Sequence, residues 1–332
     1  MGRDASPLAP LPAREGPGVG ARLRRALLPA QIGFGRGVEP RPKPPTPNPS
    51  LAGRGIVLGA AALFGSAASA QPPSVPPGMQ WLYGSGEGGA TSIQAYHAFR
   101  NYVLAAAGHR PRYSVVFAPN ATLAAPRFLP CGRRPLAVVL DVDETALQNL
   151  GFEYDDATHP GRAYDQQRWN DWERTGADAV LPIPGAVTAL NDIRRAGVTV
   201  IFNTNRLAAQ AAANEATLNN IGLGPVRHGS TLWLQGDVAS GSAKDPRRAA
   251  ISARYCVVAM AGDQLGDFTD LFNARTLGVA ERRRAAISGP LANLWGNGWF
   301  VLANPVYGSG LRGNVDDVFP ADRRWPAPGG AR

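Results

Sequence analysis

Three acidic residues crowd the stretch VVLDVDETALQN, Val138 to Asn149: Asp141, Asp143 and Glu144 fall within four positions, directly after an apolar run. Like charges at the end of a buried strand repel one another and lose hydration, so something must offset them. In extended chain, residues two apart share a face, which aims Asp141 and Asp143 at one pocket and turns Val142 away. A divalent cation would neutralise the pair, and an oxygen-rich donor set with few protein ligands suits magnesium. Asp263, in AGDQLGDF, supplies a third carboxylate, and Asp267, four residues on, one more within reach of the ion or its waters. Thr204 in FNTNR offers a hydroxyl. Lys244 in SAKDPRR brings an ammonium to the start of a helix, where its charge and the helix N-terminus both favour an anion. Together these groups describe a site that binds an anion opposite a metal.

Elements of one kind must position them. LAVVLD is a strand ending at Asp141, and PGAVTALNDIRRAG is a helix with Val187, Leu190 and Ile193 on one face, closed by Gly197. VTVIFN is a strand ending at Asn203, followed by a helix over about 207–221 that Gly222 closes. STLWL, AKDPRRAAISA and YCVVAMAG then read as strand, helix and strand, the last ending at Gly262. Strands apolar on both faces and alternating with helices predict an α/β fold, a parallel sheet covered by helices on both sides. Such sheets hold ligands at the carboxyl ends of their strands, where Asp141, Thr204 and Asp263 fall. The stretch 147–181, with RAYDQQRWNDWE, breaks the alternation and reads as an insertion acting as a small cap. Upstream, Ile93, Tyr96, Phe99 and Val103 recur at helical spacing, with Thr91 or Ser92 as cap and Gly108 as stop, so 71–130 reads as a helical N-terminal region. The core is then 131–320, with a tail at 321–332.

The chain has 332 residues, 44% of them hydrophobic and 18% charged, an ordinary globular composition. Its first fifty residues are Pro-rich and basic without apolar periodicity and read as a disordered leader. At 51–70, Arg54 precedes an apolar run from Ile56 to Phe64 that ends in Ala68-Ser69-Ala70. That run is too short to span a bilayer and fits a signal peptide cleaved before Gln71, which predicts a periplasmic or secreted protein with no stable membrane anchor. Residues 1–70 hold nine of the 34 basic and three of the 25 acidic residues, so the rest carries a formal charge of only +3. A nucleic-acid polymer is therefore not the expected partner. The run ERRRAA, Glu281 to Ala286, reads as a solvated helix face. Cys131 and Cys256 lie in no metal-ligand spacing; an oxidising compartment permits a disulfide between them, and both also suit small buried positions.

The order Asp-x-Asp-x-Thr, strand-end Thr, Lys and Gly-Asp-x-x-x-Asp resembles the haloacid-dehalogenase superfamily of phosphohydrolases. More narrowly, VVLDVDETALQN, GDQLGDF, WLYGSGEGGA, WNDW, FNTNR, SAKDPR and WFVLANPVYGS resemble the class C non-specific acid phosphatases, the bacterial group related to lipoprotein e. The resemblance runs from about Trp81 to Gly313. It implies a magnesium-dependent phosphatase acting on small phosphomonoesters, among them nucleoside monophosphates. Asp141 is implied as nucleophile, and Asp143 as general acid and base that ligates metal through its main-chain carbonyl. Asp263 and Asp267 would complete the metal set, Thr204, Asn205 and Lys244 would bind phosphate, and Tyr164, Trp169 and Tyr307 would flank the organic part of the substrate. Gln264, Ala146 and Gly310 depart from the group's pattern, and no lipoprotein cysteine stands at the junction. Two other readings share this sequence: a phosphotransferase to an alcohol, and a silent binding or storage member, which the presence of both Asp141 and Asp143 disfavours.

Overall fold

A computed structural model describes residues 74–325; the leader expected at 1–50, the signal peptide expected at 51–70 and the last residues of the tail lie outside it. The N-terminal helix spans Gly86–Gly108, starting earlier than its apolar spacing predicts. Ser85 is the cap, its hydroxyl accepting from the Gly88 amide at 3.0 Å. Thr91 and Ser92 instead donate back to the carbonyls of Glu87 and Gly88, as hydroxyls inside helices do. The buried face is Ser92, Tyr96, Phe99 and Val103, while Ile93 is exposed. The N-terminal region is also not wholly helical: Tyr113–Phe117 (β1) and Phe128–Pro130 (β2) pair as an antiparallel ribbon.

The central sheet begins with Leu136–Leu140 (β3). Leu147–Gln148 (β4) and Leu181–Pro182 (β5) pair antiparallel and close off the insertion, whose helices are Leu150–Thr158 and Gln166–Thr175. The remaining strands are Thr199–Leu207 (β6), Leu232–Gln235 (β7), Cys256–Gly262 (β8) and Trp299–Val301 (β9). Sheet order is β7-β6-β3-β8-β9, all parallel. β9 and the ribbon are additions to the sequence expectation, being short stretches whose pattern is weak on its own. Alternation along β3 splits the core into two layers: Val138 and Leu140 face one, Ala137 and Val139 the other. Both layers are closed by helices, as a doubly covered parallel sheet requires.

Cys131 and Cys256 form a disulfide, with Cα atoms 4.7 Å apart. It joins the chain just before β3 to the first residue of β8, where Leu136 and Cys256 are register partners.

Candidate active site

Asp141 follows β3 directly and Asp263 follows β8, so two neighbouring parallel strands deliver carboxylates to one edge of the sheet. Asp267 comes from the short turn Leu265–Asp267, and its approach depends on Gly262: a Cβ there would stand 2.3 Å from the Asp267 Cβ. Asp141, Asp263 and Asp267 each bring an oxygen to within 4.8 Å of the others. Lys244, the residue before helix Asp245–Arg254, places its Nζ 2.6 Å from both Asp141 and Asp267. The helix start is itself fixed by Asp270, which accepts from the amides of Lys244 and Asp245 at 3.0 and 2.6 Å.

One ammonium thus faces three carboxylates, and the imbalance shows in their proton affinities. Burial drives the Asp141 carboxyl well above its usual range against the pull of Lys244, with Asp267, Asp263 and Asp143 adding repulsion. Burial and then Asp267 raise Asp263 to about 7, although Asn304 and Gln264 donate to it at 2.8 and 2.9 Å. Burial disfavours the Lys244 ammonium, but Asp141 and Asp267 outweigh it and hold the group charged. An all-oxygen cluster with surplus negative charge is a fit for a hard divalent cation.

The Asp143 side chain stands apart from this cluster. Arg206, only 3% exposed, donates to its Oδ1 through Nε at 3.0 Å and Nη2 at 2.7 Å, and Asn149 adds a bond at 2.9 Å. Burial alone would raise this carboxyl; the Arg206 charge and these hydrogen bonds reverse the effect and hold it below the usual range. A carboxyl free to carry a proton is the expectation, and the structure instead shows one engaged with a guanidinium. β6 runs on past Asn203, so Thr204, Asn205 and Arg206 belong to the strand rather than to the loop after it. Thr204 is fully buried, its hydroxyl 3.5 Å from Asp143 Oδ2, while Asn205 lines the cleft and accepts from Arg247.

Glu144 has its own set of partners. It is fully buried, with φ at +48°, and collects the Tyr83 hydroxyl at 3.1 Å, the Asn149 amide at 2.9 Å and a short bond from the Tyr307 hydroxyl. Burial and the neighbouring Asp143 raise it to about 7, against the pull of Tyr307 and Asn149. The acid therefore ties the N-terminal segment and the Tyr307 loop to the strand end that carries Asp141 and Asp143. Gln264 makes a parallel tie, donating to Asp263 and accepting from the Ser309 amide at 3.0 Å.

A cleft of about 420 Å3 opens over these groups, lined by Asp141, Asp143, Asn205, Lys244, Asp263 and Asp267 among others. Its apolar wall contains Phe152, Tyr164, Trp169 and Tyr307. Tyr164 is 64% exposed at the mouth. Trp169 packs edge-on against Phe152 with centroids 4.8 Å apart and donates to Glu173 at 2.9 Å, so its ring serves both the insertion's own core and the cleft. The structure thus gathers every expected site residue in one place, except that the Thr204 hydroxyl lies below the lining. Arg206, Glu144, Asn149 and Phe152 escape the sequence reading; the signal available for Arg206 is its two-residue spacing from Thr204 along a strand, which puts both on one face.

Residues 94–310 match the model of a family described as HAD superfamily, subfamily IIIB (Acid phosphatase). Two solved structures of the class C acid phosphatase from Bacillus anthracis, one with tungstate bound, each align at a TM-score of 0.56 and 24% identity. The alignments cover 70% of this chain and 84% of those chains, and the likeness is one of fold.

Proposed function

The chain belongs to the HAD-superfamily acid phosphatases of subfamily IIIB and is a phosphomonoester hydrolase; from that premise we propose that it works through an aspartyl phosphate on Asp141, with magnesium, on small substrates such as nucleoside monophosphates. The observation that carries this reading is the seat of Lys244, 2.6 Å from both Asp141 and Asp267 beside a three-carboxylate cluster.

An Asp141 oxygen would attack phosphorus as the bond to the leaving oxygen breaks, dividing a slow hydrolysis into two displacements. Asp143 would give a proton to the leaving alcohol and then take one from the water that attacks the aspartyl phosphate. That water restores the Asp141 carboxylate and releases phosphate. Lys244 would hold the non-bridging oxygens, with Thr204 beside Asp143 and Asn205 at the cleft wall. Asp141, Asp263, Asp267 and the Asp143 carbonyl would hold the magnesium, which supplies charge neutralisation for the phosphoryl oxygens. Tungstate, bound by the class C acid phosphatase from Bacillus anthracis, is a tetrahedral oxyanion like phosphate, which supports an oxyanion site on this fold. The aromatic wall would accept flat leaving groups. A periplasmic or secreted setting agrees with the disulfide.

The test is a panel of phosphomonoesters assayed with magnesium and with EDTA, at about pH 5 and about pH 8. Turnover that requires metal and vanishes in Asp141→Asn supports the mechanism; wild-type rates in Asp141→Asn overturn it.

A further inference from the structure

Six carboxyls among the described residues are buried: Asp141, Glu144, Glu153, Glu173, Asp263 and Asp267. Five of them have partners. Lys244 meets Asp141 and Asp267; Tyr83, Tyr307 and Asn149 donate to Glu144; Trp169 donates to Glu173; Thr145, Gln264 and Asn304 donate to Asp263. Glu153 is the exception. It is 5% exposed, sits on helix Leu150–Thr158 beside Phe152, lines the cleft, and receives no hydrogen bond from any described residue.

The Glu153 oxygens reach the cleft and no protein donor, so a ligand that covers them without supplying a donor bears the cost of desolvating the carboxyl. The surroundings do not soften that cost. Glu144, Asp156 and Asp143 repel the Glu153 charge, and Arg168 offsets them only in part because its guanidinium is committed to Asp155 and Asp156. Burial followed by that repulsion raises the carboxyl to about 8. The same helix presents Phe152, so one turn brings a ring and an acceptor to the lining of the cleft that also holds Asp141 and Lys244.

We infer that Glu153 accepts a hydrogen bond from a donor on the leaving alcohol, so the enzyme favours esters of amino or polyhydroxy alcohols over esters of plain alkyl alcohols. The inference rests on the phosphatase reading above and assigns Glu153 as a specificity residue within that same cleft. An ammonium or hydroxyl on the substrate would supply the partner that the fold withholds, while an alkyl group would leave the carboxyl desolvated and unpaired. Discrimination of this kind exceeds what added apolar contact achieves, because the penalty falls on the wrong ligand.

Three small esters separate the possibilities: O-phosphoethanolamine, glycerol 1-phosphate and propyl phosphate, assayed with wild type, Glu153→Gln and Glu153→Leu. One hydrogen bond to a buried acceptor predicts a KM about tenfold lower for one or both donor-bearing esters than for propyl phosphate in wild type. Preference for the first alone identifies an ammonium ligand, for the second alone a hydroxyl. In Glu153→Leu the ratio should fall to about one, with kcat for propyl phosphate within about twofold of wild type. Glu153→Gln, which keeps shape, should fall between and decides the matter if the leucine variant does not fold. A wild type without preference, or a preference untouched by both substitutions, overturns the inference while leaving the phosphatase intact. A wild type that hydrolyses an aryl phosphate but none of the three esters overturns this inference alone, and one that hydrolyses neither overturns the proposed mechanism with it.

Discussion

Arg206 grips the carboxylate of Asp143 through two guanidinium nitrogens, at 3.0 and 2.7 Å on one oxygen, although 63 residues separate the two in sequence. The grip favours the ionised form of Asp143, which in the proposed mechanism would suit the base that acts on water. Proton donation by Asp143 to a leaving group would be correspondingly harder and confined to lower pH. The same guanidinium donates to Asn149 Oδ1 and Asn214 Oδ1, both at 2.8 Å, so Arg206 is itself held in place.

Removing that charge should move the pH profile. If protonated Asp143 is required, activity falls as pH rises through its pKa; Arg206 lowers that pKa, so its loss raises it. Arg206→Met is therefore expected to shift the alkaline limb of kcat/KM upward by about a unit or more, at reduced maximal rate. Arg206→Lys, which keeps charge without the fork, should shift it less. A limb that stays in place in both variants would show that Asp143 is not the titrating acid.

Stability should depend on pH in the opposite sense to that of most carboxylate-paired proteins. Glu144, Glu173 and Asp263 are raised to about 7 and Glu153 to about 8, in each case first by burial. A carboxyl with a raised native pKa binds its proton more tightly folded than unfolded. Its contribution is complete below the unfolded pKa, near 4, and is lost as pH rises through the folded value. Metal-free protein should thus lose Tm steadily between about pH 5 and pH 8, and magnesium should recover part of the loss by relieving Asp263. A Tm that is flat or climbs over this range contradicts the burial of these acids.

How much of this was legible from the chain alone follows from where each partner sits. Asp141, Asp143, Asp263 and Lys244 announce themselves because strand-end position and local spacing carry the signal, and the parallel sheet follows from apolar runs alternating with helices. Arg206 and Glu144 do not, because their meaning lies in residues 63 and 163 positions away, Asp143 and Tyr307. Glu144 stands next to Asp143 in sequence yet has different partners, since a left-handed backbone at Glu144 breaks the extended spacing on which the sequence reading rests. Thr91 and Ser92 mislead for a local reason: hydroxyls bonded back to the preceding turn look like caps until Ser85 is seen to hold the helix start.

The disulfide should matter less than its loop length suggests. Cys131 and Cys256 are 125 residues apart, for which chain entropy alone gives a contribution of about 5 kcal/mol. β3 and β8 already pair beside the bridge, and residual order in the unfolded chain reduces the effect, so the Cys131→Ala, Cys256→Ala double variant should lose about 2–4 kcal/mol. Urea denaturation reads this directly; no loss, or no difference between reduced and oxidised wild type, would mean that the bridge is not formed.

The Glu144 hub predicts coupling between the two ends of the folded chain. Tyr83 and Tyr307 share one carboxylate, so removing either hydroxyl should strengthen the other's claim on it, whereas removing the acceptor strands both. Tyr83→Phe and Tyr307→Phe should each cost about 1 kcal/mol, and their double variant should differ from the sum by about 0.5 kcal/mol or more. Glu144→Leu should cost more than either single change, because both phenols lose their acceptor. The kinetic counterpart lies at Tyr307, whose ring lines the cleft: Tyr307→Phe keeps the ring but frees it, and should raise KM for aryl phosphates several-fold with kcat little changed. Additive costs in the cycle, together with an unaltered KM, would reduce Glu144 to a buried acid with no part in shaping the rim.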